Sequence, residues 1–216
     1  MQYLNFHTHH LSNDKECIDI LNIRQGESLP ISYELYGYGI HPWDTVHEQK
    51  LEPTDEMIND KNLIYIGETG LDKLKGAELN QQIQVFKQHI HASEQWEKPL
   101  LIHCVRCFNE LVHLYKEHAP KQKWIVHGFN GSHELAKQLT KAGFMLSFGI
   151  AIMYKNSKAA HSLHAVSEDH FLLETDDADI PIQKIYRTAA DIIQMDMKDL
   201  KKIVLDNFSK ITDRDL

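Results

Sequence analysis

The segment LNFHTHH, residues 4–10, sets His7 and His9 two positions apart, with Asn5 two positions before them. In an extended strand, side chains at i and i+2 share a face, so Asn5, His7 and His9 line up with the imidazoles nearest the carboxyl end. Two imidazoles placed this way can hold one metal ion. An HxH pair is a weak signal by itself, since two hydrogen-bonded strand histidines would read the same. Acidic and imidazole groups recur at the ends of other apolar runs, however: Glu68 after IYIG, His103 in LLIH, His127 in WIVH and Asp176 after FLLET. Burying such groups costs roughly several kcal/mol unless they are paired, hydrogen-bonded or metal-bound. Their convergence on one rim makes metal coordination the economical explanation.

The elements that must position these groups are legible as short β-rich runs at 3–8, 18–23, 33–40, 63–67, 99–105, 123–128, 144–149 and 170–175. Helical periodicity fills several gaps, with Ile83, Phe86, Ile90 and Trp96 in one and Phe108, Leu111, Val112 and Tyr115 in the next. Ser132 is an N-cap for a helix over 132–142 that Gly143 ends. Pro181 stands at a first helical position, and Asp196 caps a last helix running to about Thr212. The linkers HHLSNDKE and QGESLP leave no helix between the first and third strands. Strand–helix alternation suggests a closed (β/α)8 barrel or an open doubly wound sheet, and both bind ligands at the carboxyl ends of the strands. A chain of 216 residues is near the lower limit for the barrel, which suits a shortened α/β, TIM-barrel-like (β/α)8 domain over 1–216 with one or two early outer helices missing.

A net charge of −8 argues against a broad basic surface that clamps duplex DNA, so a nucleic-acid substrate needs a local site. Nothing in MQYLNFHTHHLSNDKE resembles a charged leader with an apolar run, and no stretch is apolar enough to span a bilayer. Three cysteines, Cys17, Cys104 and Cys107, make no disulfide framework. These features point to a cytoplasmic protein without membrane contact.

The motifs NFHTHH, YGIHPW, IGETGLD, PLLIH, VHGFNGS and LLETD occur in the order found in the TatD family of metal-dependent hydrolases, and the resemblance runs from residue 5 to about 208. It implies a TIM-barrel-like fold, two divalent ions (Zn, Mn or Mg) and deoxyribonuclease or 3′ exonuclease activity. Carried over residue by residue, it implies His7, His9 and Asp176 on one metal, His103 and His127 on the other, Glu68 bridging them, and His41 in the substrate pocket. Three departures stand out. The family usually has an acid where Asn5 stands, an arginine two residues after the equivalent of His103 whereas Arg106 lies three after it, and a longer chain around the second strand.

Two divalent ions can activate a water at neutral pH and stabilise a leaving oxygen, which suits phosphodiester hydrolysis. Asp176 is then metal ligand and general base, with helix capping before Pro181 as the other reading. Glu174 shares its strand face and is read as a partner of a ligand, or as the ligand in place of Asp176. Backbone N–H groups from Asn130 to Ser132 could receive a phosphate at a helix N-terminus, although a simple tight turn reads the same. Arg106 is a candidate phosphate contact, and Lys73 and Lys75 could add local positive field. His41 is either a donor to substrate or a structural imidazole stacked on Trp43. His10, His89, His91, His161 and His164 are read as surface residues. Cys104 and Cys107 form a CxxC, read as small packing residues more than as a redox pair. The expected partners are DNA ends or single-stranded DNA. The competing functions are an amidohydrolase or deacylase using the same metals, and a barrel that binds without catalysis.

Overall fold

A computed structural model describes residues 1–12, 14–28, 35–47 and 50–216. Its strands are β1 (Tyr3–Thr8), β2 (Cys17–Arg24), β3 (Leu35–Gly39), β4 (Leu63–Asp72), β5 (Leu100–Val105), β6 (Trp124–Val126), β7 (Met145–Phe148) and β8 (Phe171–Leu173). The helices are α1 (Asp55–Asn59), α2 (Leu79–Gln95), α3 (Phe108–His118), α4 (His133–Ala142), α5 (Lys158–Ala165), α6 (Ile182–Ile193) and α7 (Met197–Thr212). Every expected strand is present. Residues 33 and 34 of the expected third strand, and the end of QGESLP, lie outside the described residues. Among the described residues no helix occurs between β1 and β3, and none is long and apolar enough to cross a membrane.

The eight strands form one sheet in the order β1-β2-β3-β4-β5-β6-β7-β8. The registers of β1 with β2, β3 with β4, β4 with β5 and β7 with β8 are parallel. A doubly wound sheet reverses its strand order near the middle; this order never reverses. The last strand returns to the first, because Thr8 pairs in parallel with Asp176, the Asp176 N–H donates to His7 O at 3.0 Å, and the His9 N–H donates to Asp176 O at 3.1 Å. The fold is therefore the TIM-barrel-like (β/α)8 class.

By packing, the chain divides into two compact units, Met1–Leu21 with Val126–Leu216, and Asn22–Ile125. The core of the first holds Phe6, Phe129, Phe144, Phe148, Phe171, Tyr186 and Phe208, all essentially inaccessible. Tyr186 spends its hydroxyl on β1, donating to Leu4 O at 2.9 Å and accepting the Leu4 N–H at 3.2 Å. Helix α4 begins and ends as its residues dictate: the Ser132 hydroxyl accepts the Leu135 N–H, and Gly143 closes it at φ 108°. Asp196 caps α7 through the Lys198 N–H. Pro181 sits one position earlier than expected, at the cap of α6 and not at its first helical residue.

In the second unit, Phe86 and Trp124 meet edge to face, with ring centres 5.5 Å apart. Helix α2 buries Gln82, Val85, Phe86, His89, Ile90 and Ser93, a stripe at helical spacing. His89 is thus a core residue, which corrects its surface reading. Its Nε2 accepts the Ile40 N–H at 2.9 Å and its Nδ1–H donates to Val85 O at 2.8 Å. Both nitrogens are committed in the neutral ring, and burial pushes the pKa down to about 4. The unfolded chain takes up this proton near pH 6.5, so His89 supports the fold fully above that pH and loses its contribution as pH falls toward 4. Over that window the loss amounts to roughly 3 kcal/mol. His89→Gln, which keeps an acceptor for Ile40 but cannot titrate, is expected to lose roughly 2–3 kcal/mol less than wild type between pH 7 and pH 4.5 in urea unfolding. An identical pH slope in both proteins would show that His89 does not stay neutral in the fold.

Candidate metal centre

In the first unit, three elements bring imidazoles and a carboxylate together. His7 is the penultimate residue of β1 and fully buried, His9 follows the end of that strand, His127 follows β6, and Asp176 lies three residues past β8. Asp176 adopts left-handed backbone at φ 54°, a conformation aspartate tolerates better than most side chains. Its Oδ1 lies 3.3 Å from His7 Nε2 and 3.5 Å from His9 Nε2. The His7 ring centre is 4.7 Å from that of His127 and 5.2 Å from that of His9. His7, His127 and Asp176 each offer a ligand atom within 4.8 Å of the others, a spacing one cation can span. Burial by itself would raise the Asp176 pKa, but hydrogen bonds from His7 and His9 and the nearby His127 outweigh it and hold the carboxyl well below the usual carboxylate range.

Glu174 sits behind this group, with no exposed surface. Its Oε1 accepts the Gly128 N–H at 2.6 Å and faces His127 Nδ1 at 3.3 Å, and its Oε2 accepts the Ser147 hydroxyl. A carboxylate on Nδ1 fixes the tautomer and leaves Nε2 of His127 for an ion. Of the two candidate acids, Asp176 offers an oxygen beside His7 and His127, and Glu174 faces His127 Nδ1. Ser147 had no signal of its own in the sequence.

Asn5 takes a role that an acid could not fill. Its Nδ2 donates to Asp19 Oδ1 at 3.0 Å and to Thr175 Oγ1 at 2.9 Å, while its Oδ1 accepts the Thr175 N–H at 2.9 Å. A carboxylate at position 5 would have no donor for Asp19. The amide holds the segment carrying Asp176 alongside β1 and keeps that segment in register with His7.

The second unit gathers His41, Glu68 and His103, again with ligand atoms within 4.8 Å. Glu68 Oε1 lies 3.1 Å from His41 Nε2 and 3.1 Å from His103 Nδ1. His41 Nδ1 accepts the Trp43 N–H at 3.2 Å, which puts the proton of the neutral ring on Nε2, toward Glu68. Burial lowers the His41 pKa against the pull of Glu68. Glu68 itself is held by its N–H donating to Asn22 Oδ1 at 2.8 Å.

Sequence reading ended the fourth strand at Gly67, whereas β4 runs on to Asp72 and carries Glu68 within it. Two glycines explain the extension. Gly67 stands at φ 131° and Gly70 at φ 143°; a Cβ on Gly67 would lie 2.4 Å from Leu101 O, and one on Gly70 would lie 2.0 Å from His103 O. The strand continues through a register shift between Ile66 and Thr69 because β4 can press its backbone against β5 there.

Asp72, at the end of β4, was not singled out from sequence. Its Oδ2 accepts the indole N–H of Trp43 at 2.7 Å and lies 3.3 Å from His103 Nε2, and its Oδ1 accepts the Leu74 N–H at 2.7 Å. Burial would raise its pKa, but these hydrogen bonds, led by Trp43, bring it down. Gln82 on α2 clamps the same turn, accepting the Asp72 N–H at 2.7 Å and donating to Asp72 O at 2.9 Å and Ala77 O at 2.8 Å.

Two groups of candidate ligands stand out. His127 lies with His7 and Asp176, and His41 joins Glu68 and His103 as a candidate ligand in addition to its expected place in the substrate pocket. Arg106 is exposed, in left-handed backbone at φ 57°, and Asn130 is exposed as well. The Ser132 hydroxyl is used in capping α4. Lys73 is paired with Glu110 at 2.6 Å, and the Lys75 ammonium lies 4.0 Å from the centre of the Trp43 ring. His10, His91, His161 and His164 are exposed as expected. All three cysteines are free. Burial raises the Cys17 thiol to about 12, the Cys107 thiol to about 11, and Cys104 higher still, so each is a protonated thiol at neutral pH.

The donor sets suit a divalent cation. Each combines imidazole and carboxylate oxygen within one ion's reach, in surroundings where His7, His41 and Glu68 have almost no access to water. An uncharacterized metal-dependent hydrolase of Buchnera aphidicola subsp. Baizongia pistaciae is 33% identical over 147 residues, covering 66% of this chain and 55% of that protein. The chain spans a little over half the length of the curated relatives it matches. A TatD family hydrolase structure from Entamoeba histolytica superposes with a TM-score of 0.77 at 14% identity, covering 98% of both chains. An uncharacterized amidohydrolase from Saccharomyces cerevisiae superposes with a TM-score of 0.69 at 12% identity, covering 97% of this chain and 99% of that one. The model of the TatD related DNase family matches residues 32–213, and the chain belongs to that family.

Proposed function

We propose that the chain is a metal-dependent hydrolase, acting as one domain over residues 1–216 in the cytoplasm, that cleaves phosphodiester bonds at DNA ends or in single-stranded DNA. The observation that carries this reading is the presence of two compact imidazole–carboxylate groups, one in each unit, each spaced for a cation. His7, His9, His127 and Asp176 would hold one divalent ion, and His41, Glu68 and His103 a second. The imidazole content favours Zn or Mn over Mg. A bound divalent cation supplies Lewis acidity and brings the pKa of water toward neutrality.

The chain's own groups supply the rest. Asp176 Oδ1, anionic and partly open to solvent, accepts the proton of the attacking water. Glu174 keeps the His127 ring in one tautomer. Glu68 carries the negative charge that makes its group a cation site. Asn130 to Ser132, at the start of α4, and Arg106, after β5, receive the phosphate oxygens.

The same groups could polarise a carbonyl, which makes amide and ester hydrolysis the competing outcome. The test is to strip the protein with chelator, add back Zn, Mn or Mg, and assay single-stranded oligonucleotides and bis(p-nitrophenyl) phosphate beside N-acyl amides and esters. Metal-restored cleavage of the phosphodiesters is expected. Cleavage of amides or esters alone would replace this reading with the amidohydrolase one, and no metal-restored cleavage of any kind would leave a binding protein.

A further inference from the structure

We propose that Trp43 is the stacking platform for a nucleobase next to the scissile phosphodiester. The inference rests on the hydrolase reading above and adds to it a residue that recognises the base.

Trp43 is unusual among the tryptophans in being both fixed and exposed. Trp124 has no accessible surface, whereas Trp43 keeps 37% of its own. Its indole is nonetheless fastened. Nε1–H donates to the buried Asp72 carboxylate at 2.7 Å, and its ring centre stands 4.7 Å from that of His41 at 81° and 5.8 Å from that of His103 at 76°. Rigidity before binding lowers the ordering cost of whatever lands on the ring.

The position limits what that ligand is. Trp43 packs against His41 and His103, two of the three members of the second ligand group, so a planar ring stacked on it lies beside that group. The exposed Lys75 ammonium lies over the ring, 4.0 Å from its centre, so a base stacking on that face displaces this cation toward the adjoining phosphate. Lys73, by contrast, is taken up by Glu110. A flat aromatic group joined to an anion answers both features, and a nucleotide is that chemistry. In a duplex the base faces are stacked on each other, so the ring can reach one only in a single strand or a frayed end.

The experiment measures affinity of the metal-loaded protein for a phosphorothioate-linked tetrathymidylate, which resists cleavage, against an abasic phosphorothioate strand of equal length. Wild type is expected to bind the base-bearing strand more tightly and to show quenched indole fluorescence. Trp43→Ala should lose about 5- to 150-fold of that preference. Trp43→Phe keeps a ring face but no donor for Asp72, so it should retain most of the preference. Equal loss in both variants would mean that Trp43 acts only through Asp72 and would overturn the inference, and circular dichroism verifies that both variants are folded. Equal binding of the two strands by wild type would overturn it too. Hydrolysis of bis(p-nitrophenyl) phosphate by the same wild-type preparation separates the outcomes: cleavage without base preference sinks the stacking role alone, and no cleavage with any metal sinks the hydrolase reading.

Discussion

Asp176→Ala is expected to lower metal-dependent kcat/KM on bis(p-nitrophenyl) phosphate by about 10²- to 10⁴-fold, the range over which a positioned proton acceptor contributes. The carboxylate meets two imidazoles, His7 at 3.3 Å and His9 at 3.5 Å, and completes a ligand group with His127. On the proposed reading, its removal takes away a cation ligand and the acid that stands with His7 and His127. The residue is partly open to solvent, so the change creates little internal void and the variant should keep its far-ultraviolet circular dichroism. Glu174→Gln provides the comparison. Glutamine can still accept the Gly128 N–H but carries no charge opposite His127, and a change of about 10- to 100-fold is the expected scale for a group behind a metal ligand. If Glu174→Gln proved far more damaging than Asp176→Ala, the assignment of ligand and orienting acid would be reversed. Activity within threefold of wild type in Asp176→Ala would remove Asp176 from the chemistry.

Gly70→Ala is expected to destabilise the fold by about 3 kcal/mol or more, which adds the strain of a positive-φ alanine to a hard contact with neighbouring backbone. Gly70 stands at φ 143° opposite His103 in the β4–β5 register, and an added Cβ would lie 2.0 Å from the His103 carbonyl oxygen. A rigid backbone atom cannot swing aside as a side chain would. Urea unfolding of the purified variant reads the effect as a lowered midpoint. A loss under about 1 kcal/mol would mean that β4 can move off β5 at this point without cost, and Glu68 and His103 would then owe their spacing to something other than this close approach.

The candidate ligands were legible because each is a polar residue at or just past the carboxyl end of an apolar run, where burial without a partner is costly. Which of them stand together in space depends on side-chain direction. Period-two alternation fixes side-chain direction only inside a strand, whereas His9, His127 and Asp176 lie beyond the ends of β1, β6 and β8, and His41 lies past β3. Capping signals gave α4 and α7 nearly to the residue, because Ser132, Gly143 and Asp196 act through local hydrogen bonds. Helix α5 escaped notice since its buried side is Ala159, Ser162 and Leu163, a face with little hydrophobic contrast.

Two misreadings have clear physical causes. Gly67 and Gly70 look like strand breakers, yet they let β4 continue where any side chain would collide with β5. His89 reads as a surface residue by type alone, although its spacing from Phe86, three positions, and from Ser93, four, places it on the buried stripe of α2. Asp72, Gln82 and Ser147 work through hydrogen bonds between segments far apart in the chain or across a turn, and no local pattern announces them.

The two ligand groups are tested most directly by counting metal. Protein stripped with chelator, dialysed against Zn or Mn and analysed for bound metal is expected to hold two ions per chain. The count should fall to one in His7→Ala/His127→Ala and to one in His41→Ala/His103→Ala, with both variants still folded. A wild-type count below one, or a count that neither pair of substitutions changes, would contradict the assignment of these side chains as a metal centre.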